Sequence, residues 1–170
     1  MTVLQQSVNT LKLILIVDDI EDNRILLERA LRSSGFETVS AASGREALSV
    51  LSRVQPAMVL LDWMMPELSG LETLRAIRET YPRSKLPVIM CTAVGEEMSV
   101  VAALHAGAND YITKPISIPI LRARMTTLFD QVAVIDALDT QKDEVARKLS
   151  ERTRALLGSV PPLPSRKSEA

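Results

Sequence analysis

Three aspartates and a lysine are the residues of this sequence whose types and positions suggest chemistry. Asp18 and Asp19 are adjacent, and Asp62 directly follows an apolar run. Thr92 and Lys114 also stand where short apolar segments end. Three carboxylates held close together repel one another, and some would be protonated unless a cation neutralises them. The set therefore indicates a metal site, provided that the fold brings its members together.

Magnesium binding and phosphoryl transfer are the chemistry that this set would support. Mg²⁺ takes oxygen ligands and suits two carboxylates together with waters. Lys114 adds a mobile positive charge that can pair with a carboxylate or a phosphoryl oxygen, and Thr92 adds a hydroxyl that can donate to an oxyanion. With a metal and a lysine beside it, Asp62 could accept a phosphoryl group, because positioning and charge neutralisation carry most of that reaction. Taken singly, each aspartate could instead cap a helix or a turn.

The elements that would position these residues are five β-strands that alternate with helices. Short apolar or β-branched segments predict strands at 11–17, 37–41, 58–62, 87–91 and 110–113. Such alternation is typical of a doubly wound α/β fold, in which helices cover both faces of a parallel sheet. Ligands bind outside the carboxyl ends of the strands in these folds. The three aspartates, the threonine and the lysine are thus predicted to meet at one edge of the sheet.

Capping signals predict where the first three helices begin. Asp22 and Asn23 are expected to cap the first helix. Its predicted apolar face comprises Ile25, Leu26, Leu27, Ala30 and Leu31. Two capping boxes, each a serine followed three residues later by a glutamate, predict the next two starts. These pairs are Ser43 with Glu46 and Ser69 with Glu72.

The last helix is predicted to begin near residues 117–119 and to continue far beyond the sheet. Neither glycine nor proline interrupts residues 120–157. Apolar residues recur there at steps of three and four, or sums of them: Leu121, Met125, Leu128, Val132, Ile135, Leu138, Val145, Leu149 and Leu156. A helix of this length must bury its stripe, which favours a two-stranded coiled coil and hence a homodimer. The alternative is an amphipathic helix that folds back on its own domain.

Length and composition are consistent with one domain plus an extension. The chain has 170 residues, of which 46% are hydrophobic, and a formal net charge of −1. We expect a leader at 1–10, a domain at 11–130, a helical extension at 131–157 and a disordered Pro/Ser-rich tail at 158–170. Balanced charge gives no indication of nucleic-acid binding. A single cysteine and the absence of a long apolar run favour a cytoplasmic protein without a membrane segment.

Residues 11–130 resemble a receiver (CheY-like) domain of the two-component response-regulator family. The matching motifs, in order, are Val17-Asp18-Asp19, Leu61-Asp62 with Met65-Pro66 and Ser69-Gly70, Thr92-Ala93, Gly107-Ala108 with Asp110-Tyr111, and Lys114-Pro115. Each motif alone is weak, but their common order and spacing make the resemblance specific. It implies a flavodoxin-like fold with five parallel strands, in agreement with the predicted elements.

The resemblance also implies a role for each acid of the set. Asp62 would accept a phosphoryl group from a sensor histidine kinase or a phosphotransfer protein. Asp18 and Asp19 would bind Mg²⁺ together with Asp62 and the backbone carbonyl of Met64. The protein would be a signalling switch, with no enzymatic activity beyond its own phosphorylation and dephosphorylation.

Thr92, Lys114 and Tyr111 would transmit the signal in such a switch. The resemblance implies that Thr92 and Lys114 contact the phosphoryl oxygens and that Tyr111 moves with Thr92 on activation. It further implies a cis peptide bond between Lys114 and Pro115. Phosphorylation would then change dimerisation or partner binding. Tyr111 could instead be a simple core residue, because buried aromatic residues usually are.

Three other interpretations remain open on the sequence alone. The first is an aspartyl-phosphate phosphatase or phosphotransferase of the haloacid-dehalogenase-like kind, which needs an acid two residues after the nucleophile. That position is Met64 here. The second is a coiled-coil scaffold that does not respond to phosphorylation. The third is a fragment of a longer regulator whose output domain is absent.

Overall fold

The computed structural model describes residues 12–93 and 97–158. Five strands alternate with five helices along this part of the chain. In order they are β1 (Leu13–Val17), α1 (Glu21–Arg32), β2 (Glu37–Ala41), α2 (Gly44–Leu51), β3 (Met58–Asp62), α3 (Gly70–Thr80), β4 (Val88–Thr92), α4 (Glu97–His105), β5 (Asp110–Thr113) and α5 (Ile118–Gly158). The predicted alternation is confirmed. Strand boundaries differ from the predicted ones by one or two residues at β1 and β4.

The strands form one parallel sheet in the order β2-β1-β3-β4-β5. This doubly wound order confirms the predicted fold class. β1 and β3 are neighbours, and Val17 pairs with Leu61 in their register. The residues that follow these two positions, Asp18 and Asp62, therefore lie side by side. On the other side of β3, Asp62 pairs with Cys91 of β4.

The hydrophobic core consists of two clusters, one on each face of the sheet. On one face, α2 and α3 bury Ala47, Leu51, Leu74 and Ile77 against alternate residues of the strands. On the other, α1 and α5 bury Leu27, Leu31, Leu121, Met125, Leu128 and Phe129. β3 is buried along its whole length, as expected for a strand covered on both faces. This burial fixes the position of Asp62 at its end.

The predicted apolar face of α1 is too wide. Leu27 and Leu31, one helical turn apart, are buried as predicted. Ile25 and Leu26 are 48% and 62% exposed, which the prediction missed. The contact between α1 and the sheet involves a narrow stripe, so these two residues lie beside it and remain at the surface.

One predicted helix cap is wrong, and a second is confirmed only in part. α1 has Ile20 as its N-cap, and this side chain cannot accept a hydrogen bond. Asn23 instead points its amide towards Asp18. At α2, Ser43 accepts a hydrogen bond from the backbone of Glu46, but the Glu46 carboxylate bonds to the N–H of Ala42 rather than completing the box. The capping box of Ser69 and Glu72 at the start of α3 is confirmed.

The chain divides into two compact units, Met1–Val132 and Ala133–Ala170. α5 contributes residues to both units, which confirms the predicted long last helix. The second unit, as far as the structure describes it, is this helix alone. Val134, Leu138, Val145 and Leu149 are exposed along it, and the predicted coiled coil stays a prediction. The predicted leader and most of the predicted tail lie outside the described residues.

The described helices were compared with the length and apolar character of a membrane span. Among the described residues, no helix combines the length and the apolar character that crossing a bilayer requires.

Candidate functional site

The candidate site lies where β1, β3, β4 and β5 end at one edge of the sheet. Asp18 follows β1, Asp62 and Thr92 are the last residues of β3 and β4, and Lys114 follows β5. Backbone hydrogen bonds continue the ladder to this edge, because the N–H of Lys114 donates to the carbonyl of Thr92 at 2.7 Å. The structure thus brings together residues that are far apart in the sequence.

Lys114 lies between two of the carboxylates. Its Nζ atom is 2.8 Å from Oδ2 of Asp18 and 2.9 Å from Oδ1 of Asp62. Both carboxylates are almost completely buried, whereas the lysine side chain is 27% exposed. The peptide bond between Lys114 and Pro115 is cis, as the family resemblance implies.

Asp18 is held by hydrogen bonds to both of its carboxylate oxygens. Oδ1 accepts from the N–H of Ile20 at 2.9 Å. Asn23 donates to Oδ1 at 3.0 Å and also lies 3.1 Å from Oδ2, which accepts from Lys114 as well. Asn23 was not predicted as a site residue. Its signal in the sequence is the spacing from Asp18, which places its amide on the first turn of α1 facing the strand end.

Arg24 fixes the backbone of the loop that carries the paired acids. Its guanidinium donates to the carbonyl oxygens of Asp18 and Asp19 at 2.8 and 3.2 Å. These bonds involve only the backbone carbonyls, so the carboxylates of Asp18 and Asp19 can face the site. Arg24 is therefore a structural support of the site that the sequence prediction missed.

Asp62 is a buried carboxyl with a shifted pKa. Burial, the largest effect, raises its pKa above the ordinary value of 3.8. The hydrogen bond and the charge of Lys114, and a hydrogen bond from the backbone N–H of Met64, act in the opposite direction without cancelling it. The charge of Asp18 adds to the increase. Burial thus outweighs the effect of the lysine on this carboxyl.

Lys114 shows the complementary shift. Burial alone would lower its pKa, but the hydrogen bonds and charges of Asp18 and Asp62 together raise it. The lysine is therefore held in its charged form. Because the pKa of Asp62 is raised despite this partner, the site favours the arrival of a further cation.

The donor set fits a magnesium ion. Asp18, Asp19 and Asp62 each offer a carboxylate oxygen, and these oxygens all lie within 4.8 Å of one another. Asp19 is exposed and the other two are buried, so an ion could enter from the side of Asp19. Carboxylate oxygens with room for waters are the ligands that Mg²⁺ prefers. The backbone of Met64 lies next to the Asp62 carboxylate, which is compatible with the predicted carbonyl ligand.

Thr92 carries a buried hydroxyl without a partner. The residue is 1% exposed, and its Oγ1 atom has no hydrogen-bond partner among the described residues. Buried polar atoms are nearly always hydrogen-bonded, so an exception calls for an explanation. An oxyanion bound at the strand ends would accept from this hydroxyl.

Tyr111 is partly buried and packs against the core cluster beneath α2 and α3. The guanidinium carbon of Arg124 lies 5.7 Å from the centre of its ring. Arg124 also makes hydrogen bonds of 2.7 and 2.6 Å to the two oxygens of Asp110. Arg124 was not predicted as a site residue. It lies over one side of the Tyr111 ring and is held there by Asp110, so a movement of this ring would involve Arg124.

α3 begins in direct contact with the backbone of the phosphoacceptor candidate. A side chain at Gly70 would collide with the carbonyl oxygen of Asp62, and the N–H of Gly70 donates to the carbonyl of Trp63 at 3.0 Å. Trp63 packs partly buried against the core beside the site. The glycine therefore allows the helix start to support the end of β3 closely.

Two further residues have reactive side chains: Cys91, which pairs with Asp62 in the sheet register, and His105. Cys91 is buried, and burial raises the pKa of its thiol to about 12, which makes it unreactive. His105, on α4, is exposed. Neither was predicted to be a site residue.

A family model described as the response regulator receiver domain matches residues 14–126. The chain belongs to the response regulator receiver domain family. This receiver domain is 36% identical over 147 residues to the phosphate regulon transcriptional regulatory protein PhoB of Rhizobium meliloti, covering 83% of this chain and 65% of that protein. It is also 36% identical over 152 residues to the response regulator MprA of Mycolicibacterium vanbaalenii, covering 84% and 65%. The chain thus spans less than two-thirds of the length of these relatives.

Solved structures agree with the family assignment. The receiver domain protein (CheY-like) of Methanospirillum hungatei has a TM-score of 0.68 and 29% identity, covering 73% of this chain and 98% of that one. The family match favours the receiver interpretation over the haloacid-dehalogenase-like one. The sequence points the same way, because Met64 stands where such an enzyme needs its second acid.

Proposed function

We propose that this receiver domain is a phosphorylation-dependent switch of a two-component system, with Asp62 as the phosphoacceptor. A sensor histidine kinase or a phosphotransfer protein would donate the phosphoryl group from a phosphohistidine. The observation that carries the proposal is the position of Asp62, buried at the end of the central strand between Lys114 and two further acids.

The reaction follows from the positions of the side chains. A carboxylate oxygen of Asp62 attacks phosphorus, the bond from phosphorus to the histidine nitrogen breaks, and the imidazole leaves. Asp18, Asp19, Asp62 and the carbonyl of Met64 would hold Mg²⁺, which would supply positive charge for the phosphoryl oxygens. Lys114, already 2.9 Å from Asp62, pairs with a phosphoryl oxygen as the charge moves from the carboxylate onto the phosphoryl group.

The switch uses the hydroxyl of Thr92, which makes no hydrogen bond to any described residue. It donates to a phosphoryl oxygen on Asp62, and the resulting movement allows Tyr111 to change position. Arg124, paired with Asp110, lies over one side of that ring. The surface formed by α4, β5 and α5 changes in consequence, and this change alters dimerisation or partner binding.

The kinase partner fits an apolar rim around the acids. Ile20 and Leu26 are 52% and 62% exposed, although both are large and apolar. A groove of about 130 Å³ leads from this rim to the site and is lined by Asp18, Asn23, Leu26, Leu27, Lys114, Pro115, Ile116 and Ile118. An apolar surface of this kind next to a charged site suits a helix that presents a phosphohistidine.

Beryllofluoride, a mimic of the phosphoryl group, tests the proposal. Trp63 is the single tryptophan of the chain and follows Asp62 directly, so its fluorescence should change when beryllofluoride binds in the presence of Mg²⁺. The variant Asp62→Asn should lose the change, and Asp22→Asn, which alters an exposed acid of α1, should keep it. Mg²⁺-dependent phosphorylation that persists in Asp62→Asn would contradict the assignment.

A further inference from the structure

The second half of α5 has a strongly uneven distribution of charge. Residues 136–144 contain four acids and one lysine, a net charge of −3. Residues 147–154 contain four basic residues and one acid, a net charge of +3. Some of these charges pair within the helix, as Lys148 does with Glu144 at 2.6 Å and Arg147 with Glu151 at 3.2 Å. The segment nevertheless has one acidic half and one basic half.

An apolar stripe runs along both halves and is open to solvent. Val134, Leu138, Val145 and Leu149 are 59%, 55%, 60% and 64% exposed. From Ile135 onwards, the stripe follows alternating steps of three and four residues, which is the repeat of a two-stranded coiled coil. Most of the stability of a helix in a protein comes from the packing of its apolar face rather than from helix propensity. A covering partner is therefore expected.

The charges decide between the two ways in which a second copy could cover the stripe. Lys142 and Arg152 occupy positions of the repeat that face a partner. In a parallel pair each would face its own counterpart, and the two acidic halves and the two basic halves would also lie together. Like charges placed opposite one another disfavour such a pair. In an antiparallel pair, each acidic half lies against a basic half.

We propose that residues 135–156 of two copies of this chain form an antiparallel two-stranded coiled coil. The register that places Leu138 opposite Leu149 of the second copy also places Lys142 opposite Val145. In the same register Arg152 lies opposite Ile135, close to the acidic half of the second copy. None of these three facing pairs therefore contains two like charges. The pairing goes beyond the proposed function, because it requires neither phosphorylation nor an intact Asp62.

Cysteine cross-linking in the full chain tests the orientation. Leu138→Cys and Leu149→Cys are prepared as separate variants and oxidised alone and as an equal mixture. The antiparallel register predicts that each variant alone cross-links poorly, whereas the mixture forms a disulfide-linked dimer. Efficient cross-linking of each variant with itself would overturn the proposal in favour of a parallel pair. Cys91 does not interfere, because it is buried and its thiol has a pKa of about 12.

Light scattering and a matched pair of substitutions test whether the stripe mediates the association. Leu149→Glu should weaken dimerisation by about a hundredfold, while Ser150→Glu, on the outward face of the same turn, should leave it nearly unchanged. Wild-type dimers should dissociate more readily as salt is raised, since the attraction between the halves is screened. A monomeric wild type, or equal effects of both substitutions, would overturn the proposal.

The outcome is separable from that of the proposed switch. Asp62→Asn should dimerise as the wild type does, because it changes nothing in α5. Loss of beryllofluoride binding with intact dimers, or the reverse, would show which of the two proposals fails.

Discussion

Lys114 and Asp62 form an ion pair of 2.9 Å across the carboxyl edge of the sheet. The lysine comes from the loop after the edge strand β5, and the acid from the end of the central strand β3. The pair therefore connects the phosphoacceptor candidate directly to the segment that follows β5.

Replacing this lysine should both raise the pKa of Asp62 and slow its phosphorylation. Lys114→Met removes the group whose hydrogen bond and charge lower that pKa. It also removes a cation that would contact the phosphoryl group, which should slow phosphorylation by acetyl phosphate about a hundredfold. Mass spectrometry gives the rate, and a carbon-detected NMR titration gives the pKa. Lys142→Met on the exposed part of α5 is the control, and a wild-type rate in Lys114→Met would contradict the expectation.

The raised pKa of Asp62 makes stability depend on pH. In the window between 3.8, the ordinary value, and the higher folded value, the folded state binds more protons than the unfolded chain. Stability contributed by this group is thus greatest below 3.8 and falls as pH rises through the window. Above it, the buried ionised carboxylate is a penalty.

Asp62→Asn should remove that penalty. In the absence of Mg²⁺, we expect the variant to have a higher melting temperature than the wild type at neutral pH. The difference should shrink as the pH is lowered towards 3.8. Mg²⁺ should raise the melting temperature of the wild type and not that of the variant. Calorimetry across pH measures these effects, and a variant that is less stable at neutral pH without Mg²⁺ would refute them.

Two buried threonines should respond oppositely to the loss of their hydroxyl. Thr73 donates from Oγ1 to the carbonyl of Ser69 at 2.9 Å, so Thr73→Val should destabilise the fold by about 1 kcal/mol. Thr92 has no such bond within the described part of the chain, so Thr92→Val should leave stability unchanged or increase it. Thr92→Val should nevertheless reduce the response of Trp63 to beryllofluoride. Urea denaturation with and without the mimic distinguishes the two effects. A large loss of stability in Thr92→Val would show that its hydroxyl has a structural role.

Arg78 should be a major determinant of stability. Its guanidinium donates to the carbonyls of Gly107, Tyr81 and Leu86 and to the side chain of Asn109, at 2.8 to 3.1 Å. Burial, with a smaller contribution from the charge of Arg83, lowers its pKa to about 10.

Arg78→Met would remove the donor of the three carbonyls, while Oδ1 of Asn109 would still accept from the N–H of Val88, and should destabilise the fold by about 2–4 kcal/mol. Arg75→Met, on the exposed face of the same helix, should change stability by less than about 0.5 kcal/mol. Denaturant titration of both variants checks the contrast. Similar midpoints would show that the backbone carbonyls find other partners.

Local patterns in the sequence were enough to predict the strands and the edge of the sheet at which their carboxyl ends meet. A continuous apolar run is typical of a central strand buried on both faces, and the acid that follows such a run is thereby predicted at the carboxyl end of that strand. The exposure of Ile25 and Leu26 was not predictable in the same way. Both fit a helical stripe, and which part of a stripe contacts the sheet depends on the angle at which the helix packs.

Polar side-chain contacts were also missed. Asn23 was assigned to a helix cap because short polar side chains commonly cap helices, yet its amide bonds to Asp18 instead. Arg78 lies on an amphipathic helix, and three of its four acceptors belong to Leu86, Gly107 and Asn109, outside that helix. Periodicity and capping rules do not describe such contacts.

The strand order has a consequence for synthesis on the ribosome. β1 and β3 are neighbours, so these two strands of a nascent chain can pair, and bring Asp18 next to Asp62, before β5 has been translated. At that stage the two carboxylates face each other without Lys114, and their repulsion opposes the docking of the two strands. Lys114, which follows β5, brings the positive charge that relieves this repulsion. Completion of the sheet and completion of the site are therefore one event, and an incomplete chain should not bind beryllofluoride tightly.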